Sequence, residues 1–127
     1  SLMIVALEQL QRKGIMTAFI DLYECISEAD LASKLVEKTV VPAYDTIDRM
    51  INFLKSTFSG FRPEVTINTD GNIKVSYARE ATTLEEKELS EVLDAPEKLA
   101  QAKGKRLVIV FDEFQDGQQK THHRTNI

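Results

Sequence analysis

The run Leu107-Val108-Ile109-Val110-Phe111 sets the tightest limit on what this chain can fold into. It is too short for a core helix, and it lacks the alternation of a strand with one wet face. It reads as a strand covered on both faces, the kind that builds the parallel sheets of α/β proteins. Arg106 leads into it and Asp112-Glu113 close it. The earlier run Ile15-Met16-Thr17-Ala18-Phe19-Ile20-Asp21-Leu22 is apolar and partly β-branched and reads the same way. The right-handed crossover rule then predicts neighbouring parallel strands over 15–22 and 106–111.

Helical periods fill the space between them. Met3, Ala6, Leu7 and Leu10 form one stripe, and Arg12-Lys13-Gly14 is a basic last turn with a glycine stop. This helix is expected to begin at or before Ser1. Ser27 with Asp30 three residues on opens a second helix, carried by Leu31, Leu35 and Val36. Pro42 is expected to open a third, in which Tyr44, Ile47, Met50, Ile51, Leu54 and Phe58 keep the period. Val65 and Ile67, the turn Asn68-Thr69-Asp70-Gly71-Asn72, then Ile73, Val75 and Tyr77 predict a β-hairpin over about 64–77. A last helix spans 84–103, with Glu85-Glu86-Lys87-Glu88 as its solvated first turn and a break expected at Asp94-Ala95-Pro96. From Asp116 to Asn126 no aliphatic or aromatic residue occurs, so 116–127 reads as a polar, disordered tail.

Composition narrows the function classes. The 127 residues, 43% hydrophobic and 28% charged, make one small domain with a real core and exclude disorder as a whole. No apolar run approaches the ~18–20 residues of a membrane span. A net charge of −4 argues against a nucleic-acid footprint, which is basic and clustered. The single cysteine, Cys25, excludes a disulfide framework and fits a reducing compartment. It reads as a small semi-buried side chain, because both histidines, His122 and His123, lie in the last six residues. The opening Ser-Leu-Met-Ile-Val-Ala-Leu has neither a basic n-region nor a small-residue cleavage site, so the cytoplasm is expected.

The chemistry concentrates where the apolar strand meets its two acids, a Walker B pattern. A buried parallel strand is rigid, and its carboxyl end opens toward the ligand crevice of an α/β sheet. Asp112 there can hold Mg²⁺ through water, and Glu113 can orient and deprotonate an attacking water. Asp21 closes the other strand on the same edge, as a polar group near the ligand or as a loop cap. Gln115 can contact the catalytic water or a terminal phosphate, or be a solvated turn residue. Metal binding by the adjacent His122-His123 is disfavoured, since neighbours in an extended tail face opposite ways.

Asp112-Glu113-Phe114-Gln115 after the apolar strand, the Ala-Lys-Gly-Lys-Arg lead-in, Leu93 to Ala100 and the earlier Phe19-Ile20-Asp21-Leu22 together resemble the AAA+-type P-loop ATPases of archaea and bacteria. The resemblance covers roughly residues 1–115. It implies a partial three-layer P-loop NTPase core with parallel strands and an inserted hairpin. It also implies ATP and Mg²⁺ in the intact parent, Asp112 for the metal, Glu113 as catalytic base, and Asp21 and Gln115 in supporting positions. The family's Gly-rich loop ending in Gly-Lys-Ser/Thr does not occur in the 127 residues, and Ser1-Leu2 stands where that loop would end. The family's further helices and strands beyond Gln115, with the polar residue that senses the terminal phosphate, also have no counterpart. The leading expectation is therefore a piece of an ATPase, inactive alone, that self-associates through an exposed sheet edge. An interaction or assembly module without nucleotide chemistry is the alternative, and a shortened product without an independent role is the third.

Overall fold

The computed structural model describes residues 2–77, 83–113 and 125–126. In chain order these form α1 (Leu2–Arg12), β1 (Met16–Asp21), a 3-10 turn (Leu22–Glu24) and α2 (Glu28–Val40). A second 3-10 turn (Val41–Ala43), α3 (Ile47–Thr57), β2 (Pro63–Ile67) and β3 (Ile73–Tyr77) follow. Then come α4 (Glu86–Lys103), β4 (Leu107–Asp112) and the short β5 (Thr125–Asn126). The fold is a mixed α/β arrangement of four α-helices, a parallel β1–β4 pair and a separate antiparallel β2–β3 hairpin among the described residues.

The two apolar runs do pair side by side and parallel, from Met16 opposite Leu107 to Asp21 opposite Asp112. Register partners share a face of the sheet. Met16, Ile20, Leu107, Ile109 and Phe111 therefore turn one face onto the main core, with Leu35, Val36, Met50, Phe53, Val92 and Leu99 from the helices. The other face carries Thr17, Phe19, Val110, Asp21 and Asp112. Gln11 of α1 donates to the Thr17 hydroxyl at 2.7 Å, which sets α1 against this second face. The α1 cover is thin. Met3, Leu7 and Leu10 are half-buried, Ala6 is exposed, and no α1 residue is fully buried. β5 pairs antiparallel with β4 at Phe111 and Asp112. The rest of the 116–127 segment lies outside the described residues.

Local chemistry explains the helix ends, and it corrects three sequence expectations. The Ser27 hydroxyl accepts from the Asp30 N–H at 3.0 Å, so α2 starts where the sequence placed it. α3 does not open at Pro42. That proline sits in the 3-10 turn, Tyr44 is extended, and Thr46 caps the helix by accepting from the Arg49 N–H at 3.3 Å. α4 is not broken at Pro96 but runs through it to the left-handed Gly104 (φ 63°). An interior proline costs about 3 kcal/mol. Val92, Ala95 and Leu99, at 3%, 3% and 0% exposure, straddle it, and burying Val92 and Leu99 returns roughly 1.5–3 kcal/mol each. Glu88 is not solvated either. It is 4% exposed, and its carboxylate accepts from the Glu85 N–H at 2.8 Å.

Three glutamates fasten the helices to the rest. Glu37 of α2 accepts from the Val75 N–H of β3 at 2.8 Å, and Glu28 accepts from the Leu84 N–H at 2.7 Å. Glu91 of α4 holds the loop between α3 and β2. It accepts from Ser59 N (2.9 Å), Ser59 Oγ (2.8 Å), Gly60 N (2.7 Å) and Phe61 N (2.8 Å).

Candidate functional site

Asp21 and Asp112 end adjacent parallel strands, in register and on one face, and Glu113 follows directly in the chain. All three are half-buried. The strands are rigid because each is packed against the core on its other face, so the acids are held at one edge of the sheet. The Asp21 carboxylate accepts from the Tyr23 N–H at 3.0 Å and caps the 3-10 turn after β1. The loop-cap role read from the sequence is thus present, alongside the position at the strand edge. Gln115, His122 and His123 lie outside the described residues.

A cleft of about 230 Å³ opens at this end of β1, lined by Phe19, Ile20, Asp21, Glu24, Lys34 and Lys38. The two lysines stand one helical turn apart on α2 and line the cleft with Asp21 and with Glu24 of the 3-10 turn, whereas Asp112 and Glu113 are not part of its lining. The cleft mixes two cations with two carboxylates, so it suits a polar ligand better than an apolar one.

Cys25 sits beside this site without the character of a nucleophile. Its thiol is half-buried and donates to the Asp21 carbonyl at a sulfur–oxygen distance of 3.6 Å. Burial pushes its pKa up, Asp30 raises it further, and Lys34 only partly opposes them, with Asp21 and Glu24 adding to the rise. A reactive thiolate needs the opposite shift.

Two carboxylates at a strand end match what Mg²⁺ asks of a protein, since it keeps several waters and takes one or two acids plus substrate phosphates. No group of three or more His, Cys, Asp or Glu side chains suited to a metal occurs among the described residues. The described residues therefore offer no self-sufficient protein cage for a metal. Asp112 would be the direct or water-mediated ligand, with Asp21 beside it.

Sequence reading missed the carboxylate most strongly perturbed by its surroundings among the described residues. Burial alone would push Glu91 up, but hydrogen bonds from Phe61, Ser59 and Gly60 bring its pKa down from 4.5 to about 2. Ser59-Gly60-Phe61 forms a backbone nest of the kind that cradles anions, and here the anion belongs to the chain itself. The one local signal was a glycine in a helix-stop segment.

No helix among the described residues is long and apolar enough to cross a membrane. Compared with known proteins, the chain matches no family model, no curated sequence and no solved structure significantly.

Proposed function

We propose that this chain is part of an ATP-hydrolysing P-loop domain of the AAA+ type, with Asp112 as the magnesium-binding acid and Glu113 as the base that activates water. The observation carrying the reading is the register of β1 on β4, which brings Asp21 and Asp112 together at the carboxyl edge with Glu113 next in the chain. That edge is where α/β sheets bind ligands. α1 enters β1 through the three residues Lys13-Gly14-Ile15, as a helix following a phosphate loop would. The acids would do what acids do in such sites: Asp112 orients the metal's water shell, and Glu113 takes the proton of the attacking water. ATP is the substrate and Mg²⁺ the cofactor of the whole domain. The 127 residues contain no Gly-Lys-Ser/Thr cradle, so this chain alone is expected to hold Mg·ATP no tighter than millimolar.

The coding sequence upstream of Ser1 tests the reading directly. An in-frame apolar strand followed by Gly-x-x-x-x-Gly-Lys-Ser/Thr, running straight into α1, supports it. An upstream sequence without that loop overturns it. In the product of such a frame, Glu113→Gln is expected to stop turnover while leaving ATP bound.

Exposed apolar residues on α1 favour a second reading, an assembly module. Leu2 is 88% exposed, and Ile4 and Val5 are about half exposed. Upstream of Phe111, no described strand pairs with β4 on the side away from β1. Self-association through this flank would appear in light scattering at micromolar concentration as a mass above 14.4 kDa.

A further inference from the structure

The hairpin presents a second surface, far in the sequence from the strand-end acids. Between α3 and the start of β2 runs an apolar groove of about 410 Å³. Its apolar lining is Ile51, Leu54, Phe58, Phe61, Pro63 and Val65. The rim carries the exposed Lys55, Arg62 and Glu64, two cations against one acid in a chain of net charge −4. Neither Lys55 nor Arg62 makes an ion pair among the described residues.

The backbone of β2 continues this groove. Asn68 N donates to Asn72 O at 3.0 Å, so the pair at the turn faces inward. Antiparallel pairs alternate, so Thr66–Lys74 and Glu64–Ser76 also bond inward, while Val65–Val75 and Ile67–Ile73 turn their amides outward. β3 shows that this is so, because the outward Val75 N–H is the one that Glu37 takes. On β2 the corresponding Val65 and Ile67 N–H groups have no acceptor among the described residues.

We propose that the groove and the outer edge of β2 together bind an extended, acidic peptide segment of a partner protein, which adds to the hairpin as a third strand. Backbone bonds to Val65 and Ile67 would supply the pairing. An aliphatic side chain would fill the floor formed by Leu54, Phe58 and Phe61, and a flanking carboxylate would meet Lys55 and Arg62. Pro63, which has no N–H to offer, sets the upstream limit of the pairing.

The probe is a capped pentapeptide, Glu-Leu-Glu-Val-Glu, titrated into the ¹⁵N-labelled chain, with Lys-Leu-Lys-Val-Lys as its charge-reversed control. Saturable shifts at the Val65 and Ile67 amides, with slower hydrogen exchange at both, are expected. The double variant K55E/R62E, at two exposed positions, should weaken binding at least about tenfold. Binding to the unaltered chain should also fall as salt rises from about 50 to 500 mM, which tests the charge argument without any substitution. The proposal is overturned by no shifts up to millimolar peptide, by shifts centred elsewhere, or by equal binding of the lysine peptide. It is equally overturned if sedimentation shows the chain alone pairing through β2, which would make a second copy the occupant.

Discussion

Two sets of carboxylates in this molecule stand in opposite relations to the fold. Glu91 accepts four hydrogen bonds from three consecutive residues, and its charge is favoured down to a pKa of about 2. Asp21 and Asp112 stand side by side at the ends of parallel strands, where like charges in register oppose each other. The first arrangement makes the folded state more stable than the unfolded one. In the site proposed above, the second would be tolerated because the acids serve a ligand.

The structural side of that contrast should break hardest at Phe61. Its N–H donates to Glu91, and its fully buried ring stacks on Tyr77 at 5.0 Å and meets Phe58 edge-on at 5.3 Å. Phe61→Ala is expected to destabilise the chain by about 3–5 kcal/mol, read as a lower urea midpoint. A loss under about 1 kcal/mol would mean that the packing of this ring contributes little, since alanine keeps the N–H that Glu91 accepts.

Glu91→Gln tests the anion itself. The amide keeps one acceptor but turns an NH₂ toward donors, and a loss of about 2 kcal/mol at neutral pH is expected. The pH dependence has a definite sign. A carboxyl that titrates at 4.5 when unfolded and at about 2 when folded stabilises fully above pH 4.5. That contribution fades as pH falls toward about 2, so the gap between the unaltered chain and the variant should close across the same interval. A constant gap from pH 7 to pH 2.5 would place the effect in packing and not in charge.

Gly60→Ala perturbs the same contact more gently. An added Cβ would lie 3.2 Å from Glu91 Oε1 and 3.5 Å from two methylene carbons of Lys87. Glu91 must then shift by a few tenths of an ångström, lengthening its bonds to Gly60 and Phe61, with an expected loss of about 1 kcal/mol. The sharper check is titration of the variant by NMR, in which the Glu91 carboxyl should rise from its low value toward the ordinary range. An unmoved titration would show that the nest adjusts around the new methyl.

How much of this was legible in the sequence depends on how far apart the interacting residues lie. The parallel pair followed from two apolar runs, and the hairpin from alternation around Asn68–Asn72, because strand period and turn chemistry are local. The Ser27 cap was legible for the same reason. Pro42 and Pro96 misled because a proline states only what its own backbone cannot do. Thr46 offered a better cap than Pro42, and Val92 and Leu99 held α4 together across Pro96. The Glu91 nest was invisible, since its partners are 30 to 32 residues away and Glu91 reads as one more acid on a charged helix. At the candidate site, the strand-end acids were readable from their position after apolar runs. Their mutual register was a consequence of pairing, and pairing across 91 positions from Asp21 to Asp112 needed the fold.

The smallest effect belongs to the other side of the contrast. Asp21→Asn keeps an oxygen in place to accept from the Tyr23 N–H, so the cap after β1 should survive. It removes one of two like charges in register at the strand ends. If Asp21 is carried for its charge and not for the fold, the substitution should leave stability unchanged or raise it by a few tenths of a kcal/mol. The gain should be larger in 10 mM than in 500 mM salt, because screening already relieves the repulsion at high ionic strength. Urea midpoints at the two salt concentrations measure it. A destabilisation above about 1 kcal/mol would move Asp21 to the side of Glu91, as a carboxylate whose charge the fold itself requires. The proposal for that edge would then rest on Asp112 and Glu113 without it.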